Sequence, residues 1–175
     1  MAAATELVHR QGVERTTLAD IAKAADVPLG NVYYYFKTKD DVIAAVIDAN
    51  AQRVSTVLAL IDANHQSPKD RLNALVRELA SQSVTVAQFG CPLGSLCSEL
   101  DKRAENSHPA VDKLLRLPVE WAEAQFRSLG REDAHDLALD LLAAYEGSAL
   151  LANTMRDPGI LSGAAVRIER WVNAL

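Results

Sequence analysis

The sequence predicts an all-α fold, and three observations carry that prediction. Apolar residues recur at the i, i+3, i+4, i+7 spacing of a buried helix face through most of the chain. Cap and stop residues punctuate those runs at Thr17, Asp40-Asp41, Ser67-Pro68, Gly90, Cys91-Pro92, Gly130 and Asp157-Pro158. No stretch keeps the strict alternation of a half-buried strand. At 175 residues with 49% hydrophobic side chains, the chain can bury the core of one domain, or of one domain with a small appended one.

Taken in order, the opening MAAATELVHRQG should give a short first helix anchored by Leu7 and Val8 and stopped by Gly12. It is too short and too polar for a secretory signal. It reads as a short natural start or as one that lacks an upstream basic arm. Asp20 to Ala25 form the next helix. Thr17 caps it, and Asp20, three residues on, places a carboxylate in the first turn as a capping box does. Leu18, Ile21, Ala22 and Ala25 make its apolar face, and the two alanines let another helix approach closely. Val27 to Gly30 is the turn, and Asn31 to Phe36 is a second, very short helix with three consecutive tyrosines.

A helix of that length buries about one stripe of side chains. At about 100° per residue, Val32 and Phe36 share the buried side and Tyr34 points almost opposite. Gly30, Asn31 and Tyr34 then face outward, with Tyr33 and Tyr35 on the flanks. Rings displayed in this way need a partner outside the protein. Two short helices joined by a tight turn follow the helix-turn-helix order, whose second helix lies in the major groove of DNA. Asn31 can pair with a base edge, and tyrosine hydroxyls and Lys39 can bind phosphate.

This stretch resembles the TetR family of one-component regulators. The matching residues are Thr16-Thr17, Asp20-Ile21-Ala22, Ala25, Val27, Gly30, Tyr33, Tyr35-Phe36, and Lys39 with the hydrophobic residues after it. The resemblance implies phosphate contacts from Thr17, Tyr33 and Lys39, and places Leu29, Gly30, Asn31, Tyr34 and Tyr35 at or near base edges. Thr16 and Lys37 complete the candidate DNA-binding set. The chain departs from the family pattern in three places. Asp26 stands where glycine is usual, so this residue is expected to take a left-handed backbone, which Asp tolerates better than most. Pro28 replaces the small polar residue that begins the recognition helix, acceptable in a first turn but without a side-chain cap. The usual basic arm and full first helix are reduced to the short opening segment.

The remaining caps divide the chain into further helices. Asp40 and Asp41 open a long one to about Asn64, striped by Val42, Ile43, Val46, Ile47, Val54, Val57, Leu58 and Ile61. Ser67-Pro68 with Asp70 starts the next, which carries Leu72, Leu75, Val76 and Leu79 toward Gln88 and stops at Gly90. Cys91-Pro92 starts a short helix through Leu96 and Leu100, and His108-Pro109 begins another that ends at Leu129-Gly130. Glu132 begins a strongly apolar helix to Met155, and Asp157-Pro158 caps the last, which ends at Leu175. The expected division is a helix-turn-helix DNA-binding domain over residues 1–39 and a helical effector-binding and dimerisation domain over residues 40–175.

Charge separates the two parts in the same way. The net charge of −5 splits into +1 for residues 1–39, with five Lys/Arg against four Asp/Glu, and −6 for the rest. An acidic body repels DNA and leaves the head as the contact surface, yet +1 is weak, so non-specific affinity should be low and strongly salt dependent. Specificity then calls for two heads acting together. No uninterrupted apolar run reaches the roughly 18 residues of a membrane span, and the composition fits a soluble, cytoplasmic protein.

Two heads need a dimer. Leu137, Leu141, Leu142, Ala144, Tyr145, Ala149, Leu150, Ala152 and Met155 wrap around much of their helix, too far for one buried face. Gly147, Ser148 and Ala149 permit close approach of another helix. With Ile160, Leu161, Val166, Ile168, Trp171 and Val172 this reads as half of a four-helix homodimer interface, the job that the last two helices do in the family it resembles; an ordinary core pair is the other reading.

A regulator also needs a switch. Pro118 sits inside a helical run, where it removes one hydrogen bond and bends the helix. The space so opened could be lined by Phe89, Leu93, Leu96, Cys97, Leu114, Leu117, Trp121 and Tyr145, with Trp and Tyr as polar handles; the same residues could be plain core. Glu146 is either a polar group of that pocket or solvated. Cys91 precedes Pro92 at a helix start, where the dipole favours a thiolate, so it is the candidate thiol sensor, although two cysteines in such a chain are usually small buried hydrophobes. Cys91 and Cys97 are six apart, on different faces of one helix, which disfavours a disulfide between them.

His9, His65, His108 and His135 show no metal-ligand spacing with the cysteines, so no metal and no cofactor is expected. The sequence has no nucleophile elbow, phosphate loop, HExxH or framed carboxylate pair, and nothing places Cys91 beside His108 as a dyad, so no enzyme is expected either. The reading is a homodimeric regulator that binds double-stranded DNA at a near-palindromic operator and is released by a small apolar or amphipathic effector. The alternative is a helical ligand-binding or thiol-sensing protein with weak or lost DNA binding.

Overall fold

The computed structural model describes residues 1–103 and 109–175. Its described residues form helices α1 (Ala2–Arg15), α2 (Leu18–Ala24), α3 (Leu29–Tyr35), α4 (Lys39–Asn64), α5 (Pro68–Ser81), α6 (Ser83–Phe89), α7 (Pro92–Arg103), α8 (Pro109–Ser128), α9 (Ala134–Met155) and α10 (Pro158–Ala174). They group into two compact units: residues 1–53 with 92–114, and residues 54–91 with 115–175. The chain passes from the first to the second within α4, without a break in the helix. By length and composition α4 could cross a bilayer. Here its stripe of Val42, Ile43, Val46, Ile47, Leu58 and Ile61 is buried by the protein instead.

The first unit is built around α1, α2, α3, α7 and the N-terminal half of α4. The opening segment does more than the two expected anchors suggested. Ala4, Val8 and Val13 are buried while Leu7 is half-exposed, and Gly12 does not end the helix. At φ 84° it turns the chain inside α1, and the helix resumes to Arg15. Ile21 and Ala22 of α2 and Val32 of α3 are buried against this frame.

The second unit has one large core. Leu72 and Val76 of α5, Ala122 and Phe126 of α8, Leu137, Ala138 and Leu141 of α9, and Ile168 and Val172 of α10 pack together. Phe126 and Trp171 meet at 5.9 Å between ring centroids, tilted by 56°. The expected caps form. Ser67 accepts from the Asp70 N–H at 3.0 Å with Pro68 in the first turn, and Asp157 accepts from the Gly159 N–H at 2.8 Å. The expected single helix from Pro68 to Gln88 does not form. It breaks at Gln82 into α5 and α6. Ser81 turns its hydroxyl onto the Glu78 carbonyl at 2.6 Å, and Ser83, Val84 and Thr85 follow. Hydroxyls that compete for backbone groups and β-branched residues weaken a helix at one place together. Pro118 is buried within α8, which continues through it. The expected helix start at His108 lies outside the described residues.

Candidate nucleic-acid interface

Local chemistry sets both ends of the helix-turn-helix. Thr17 is the N-cap of α2: its hydroxyl oxygen accepts from the Asp20 N–H at 3.1 Å, and the Asp20 carboxylate accepts from the Thr17 N–H at 3.1 Å and its hydroxyl at 2.6 Å. The capping box is reciprocal, and α2 therefore begins at Leu18, earlier than the expected Asp20. The hydrogen bonds from Thr17 hold the Asp20 carboxyl below its ordinary value.

At the other end, Val27 N–H bonds to Ala22 C=O at 3.0 Å and Asp26 N–H to Lys23 C=O at 3.3 Å, around Asp26 at φ 52°. This is a Schellman turn with Asp in the glycine position, the left-handed residue that the sequence predicts. The turn leaves Ala25 exposed, not on the buried face expected of it. Pro28 is the N-cap of α3 and not its first helical residue, so the helix starts at Leu29 with no side-chain cap. Phe36 lies beyond the helix in extended backbone and is half-buried.

The short α3 buries Val32 and displays the rest. Tyr33 is 48%, Tyr34 73% and Tyr35 75% exposed, and Leu29, Gly30 and Asn31 are exposed beside them. The Tyr34 and Tyr35 rings meet edge to face at 5.0 Å, and the Lys37 ammonium lies 5.7 Å from the Tyr34 centroid. Lys37 also donates to the Tyr33 and Tyr34 carbonyls at 2.8 and 3.1 Å, closing the end of α3. Lys39, half-buried, donates to the Glu14 carbonyl at 2.7 Å. An ammonium has three protons, so each lysine keeps donors for a phosphate. Thr17 is exposed.

Thr16 departs from the expected set. It is 3% exposed, and its hydroxyl donates to the Gly12 carbonyl at 2.7 Å, so it shapes the turn before α2 and does not face outward. Thr38 and Asp41 form a second reciprocal box at the start of α4, with bonds of 3.1 and 2.8 Å, which holds the Asp41 carboxyl down.

One residue here escaped the sequence reading. The Glu99 carboxylate of α7 accepts from the Val13 N–H at 2.9 Å and the Glu14 N–H at 2.8 Å, beside Gly12. A glutamate in SELDKR reads as a solvated helix face, and its partners lie 86 and 85 residues away. No local signal could have found the contact.

The candidate pocket residues divide between the two units. Leu93, Leu96, Cys97 and Leu114 belong to the first; Phe89, Leu117, Trp121 and Tyr145 belong to the second. Leu96, Leu114 and Tyr145 are buried. Trp121 donates its ring N–H to Asp62 at 3.1 Å. Tyr145 lines a small cavity of about 10 Å³ with Val76, Leu79, Leu141, Leu161 and Ile168. Beside it the Cys91 thiol donates to the Glu146 carboxyl at 3.1 Å. Burial raises the pKa of Glu146 and, with the nearby Cys91, pushes the Tyr145 hydroxyl far up. Cys91 is thus buried against a carboxyl and is not displayed to solvent at that helix start. Cys97 donates to the Val111 carbonyl at 3.6 Å, and neither cysteine is in a disulfide. The Cys91–His108 pairing lies outside the described residues.

Residues 1–46 match the family model described as bacterial regulatory proteins, tetR family. An uncharacterised HTH-type transcriptional regulator from the dhlA 5′ region of Xanthobacter autotrophicus is 30% identical over 160 residues, covering 88% of this chain and 78% of that protein. The HTH-type transcriptional regulator LmrA of Bacillus subtilis is 27% identical over 164 residues, 90% and 86% of the two chains. A TetR transcriptional regulator from Legionella pneumophila superposes with a TM-score of 0.85 at 24% identity, over 97% of this chain and 92% of that one. The displayed face of α3, its capped partner α2 and these likenesses have one reading: this chain belongs to the TetR family of helix-turn-helix, DNA-binding transcriptional regulators.

Proposed function

We propose that the protein is a homodimeric repressor, that its two recognition helices read successive major grooves of a near-palindromic operator, and that a small apolar or amphipathic effector releases it. The observation that carries the DNA reading is the exposed row Leu29, Gly30, Asn31, Tyr34 and Tyr35 on a helix whose other side is held by Val32. Thr17, Tyr33, Lys37 and Lys39 flank that row as phosphate partners. With +1 on each head, a single copy binds weakly, and a dimer supplies the second half-site about one turn away.

The outer side of α9 supports the dimer. Leu139, Ala143, Gly147 and Leu150 lie along one exposed stripe, with Leu151 and Met155 beside it. Leu150 is 67% and Met155 64% exposed. A groove of about 420 Å³ between α9 and α10, lined by Asp140, Ala144, Ser148, Ala164, Arg167, Ile168 and Trp171, runs alongside. So much exposed apolar area on the two most apolar helices is the mark of an interface. A cytoplasmic location follows from the need to reach DNA.

The cavity at Tyr145, about 10 Å³, has room for one water at most, against the roughly 300–1,000 Å³ of a ligand pocket. An effector therefore binds an opened second unit, near Tyr145, Trp121, Leu117 and Phe89. It stabilises one of two packings, and α4, continuous between the units, carries the change to the head. Reciprocity requires operator DNA to weaken effector binding by the same factor.

Selection from a randomised duplex pool, with size-exclusion light scattering of the free protein, tests the first part. A selected near-palindrome and a dimeric mass are expected. A protein that selects no sequence favours a ligand-binding role without DNA. Equal effector affinity with and without operator, measured by calorimetry, overturns the release mechanism.

A further inference from the structure

We infer that Glu99 is a positioning residue for DNA binding: its carboxylate clamps the turn at Gly12–Thr16, so that α7 determines where the recognition unit sits. This deepens the DNA-binding reading above and rests on it.

The turn is the last structure before the Thr17 cap, and every contact that shapes it is specific. Gly12 interrupts α1 at φ 84°, and the N–H groups of Val13 and Glu14 that follow it bond to a side chain of α7. These two are orphan donors at the start of a resumed helical turn. Both go to the two oxygens of one carboxylate, at 2.9 and 2.8 Å, which makes the bonds charge-assisted. The same residue is held on its other side, because Lys39 at the head of α4 donates to the Glu14 carbonyl at 2.7 Å. The Thr16 hydroxyl ties the turn to the Gly12 carbonyl at 2.7 Å, and the Thr16 N–H bonds to Val13 at 3.2 Å. Thr17 follows at once and caps α2. A turn held by these bonds thus joins α7 to the entry of the helix-turn-helix.

Gly12 belongs to the clamp on two counts. Its φ is one that a side chain rarely adopts, and a Cβ there would stand 2.9 Å from Glu99 Oε2 and 3.3 Å from Oε1. A residue with a side chain at position 12 would therefore push the carboxylate off both amides. Glu99 lies on the helix that begins directly after Cys91, outside the α1–α4 sequence that forms the head. A shift of α7 in either direction moves the turn, and with it Thr17 and α2. Such a shift misplaces the recognition side chains without removing any of them. Loss of specific affinity with non-specific affinity retained is the signature.

The experiment uses the full chain and a duplex that the wild-type protein selects from a random pool. Glu99→Ala is expected to weaken binding to that duplex by about tenfold or more, the scale of one charged hydrogen-bonded contact, while affinity for a scrambled duplex stays within about twofold. Glu99→Gln keeps one acceptor oxygen and should recover part of the loss. Amide exchange at Val13 and Glu14 should accelerate in Glu99→Ala, while the Ile21 amide inside α2 stays protected.

Gly12→Ala should weaken specific binding more in the wild type than in the Glu99→Ala background, where the clash is gone and only the backbone strain remains. A merely structural glutamate would lower the melting temperature and leave the specific-to-non-specific ratio unchanged well below melting, which overturns the inference. Unchanged exchange at Val13 and Glu14 overturns it as well. A wild-type protein that selects no duplex overturns the DNA-binding reading itself. A wild type that selects one, which Glu99→Ala binds equally well, overturns only the clamp.

Discussion

Tyr34→Ala separates recognition from folding. The ring is 73% exposed, so little apolar area returns to water when it is removed. What the fold loses is its edge-to-face contact with Tyr35 at 5.0 Å and the Lys37 cation at 5.7 Å. An exposed pair of each kind lies near the low end of its range, about 0.5 kcal/mol apiece. The total is about 1 kcal/mol, or a fall in Tm of roughly 2–4 °C for a chain of this size. On DNA the same truncation removes a base-edge contact, expected to cost about 1–3 kcal/mol, or roughly five- to 150-fold in Kd. No charge changes, so the slope of log Kd against log salt should be unaltered.

The assay is fluorescence anisotropy on the selected duplex and on single-position variants of it, across a salt series, beside thermal melting of the free protein. Unchanged affinity and unchanged preference would show that the recognition helix is turned the other way. A fall in Tm far beyond a few degrees would show a ring that packs inside the molecule.

Three further outcomes are expected. Lys37→Ala should weaken binding to all sequences alike and flatten the salt slope by about 0.9 for each head on B-form DNA; a change in sequence preference with an unchanged slope would contradict that role. Leu150→Glu, at a position 67% exposed, should leave the fold intact and shift the mass in light scattering from dimer to monomer; a dimer of unchanged affinity would move the interface elsewhere. Glu146→Gln should flatten the dependence of stability on pH. Burial raises the Glu146 pKa from its ordinary 4.5, so the folded state holds this proton more tightly than the unfolded chain does. Below about 4.5 the group is neutral in both states, and its ionisation detracts from stability as pH rises from there through the raised folded value. Urea midpoints from pH 4 to 9 that run parallel in wild type and variant would refute this. The lowered carboxyls of Asp20, Asp41, Glu123 and Asp133 act in the opposite direction and are common to both proteins.

Much of the head is legible in the amino-acid order because its determinants act within one helical turn. Thr17 with Asp20, Asp26 in the left-handed region, Ser67 with Pro68 and Asp157 with Pro158 are contacts between residues at most three or four apart. The outward tyrosines follow from the same short range, since seven residues leave one stripe to bury and Val32 takes it. The break at Gln82 was not legible. Helix propensities there differ by tenths of a kcal/mol, and packing decides between nearly equal alternatives. Thr16 could not be placed either, because a threonine beside a cap reads the same whether its hydroxyl faces solvent or the Gly12 carbonyl.

What the sequence determined by itself is therefore where helices start and which of their faces is apolar, both consequences of backbone geometry and nearest neighbours. The tertiary structure alone decided that Glu99 holds Val13 and Glu14, that Cys91 faces Glu146, and that the expected pocket residues belong to two different units. Those pairings join residues 55 to 86 positions apart. Any of several carboxylates could have met the same amides, and which one does depends on how whole helices pack. That choice is a property of the assembled core, and no local pattern records it.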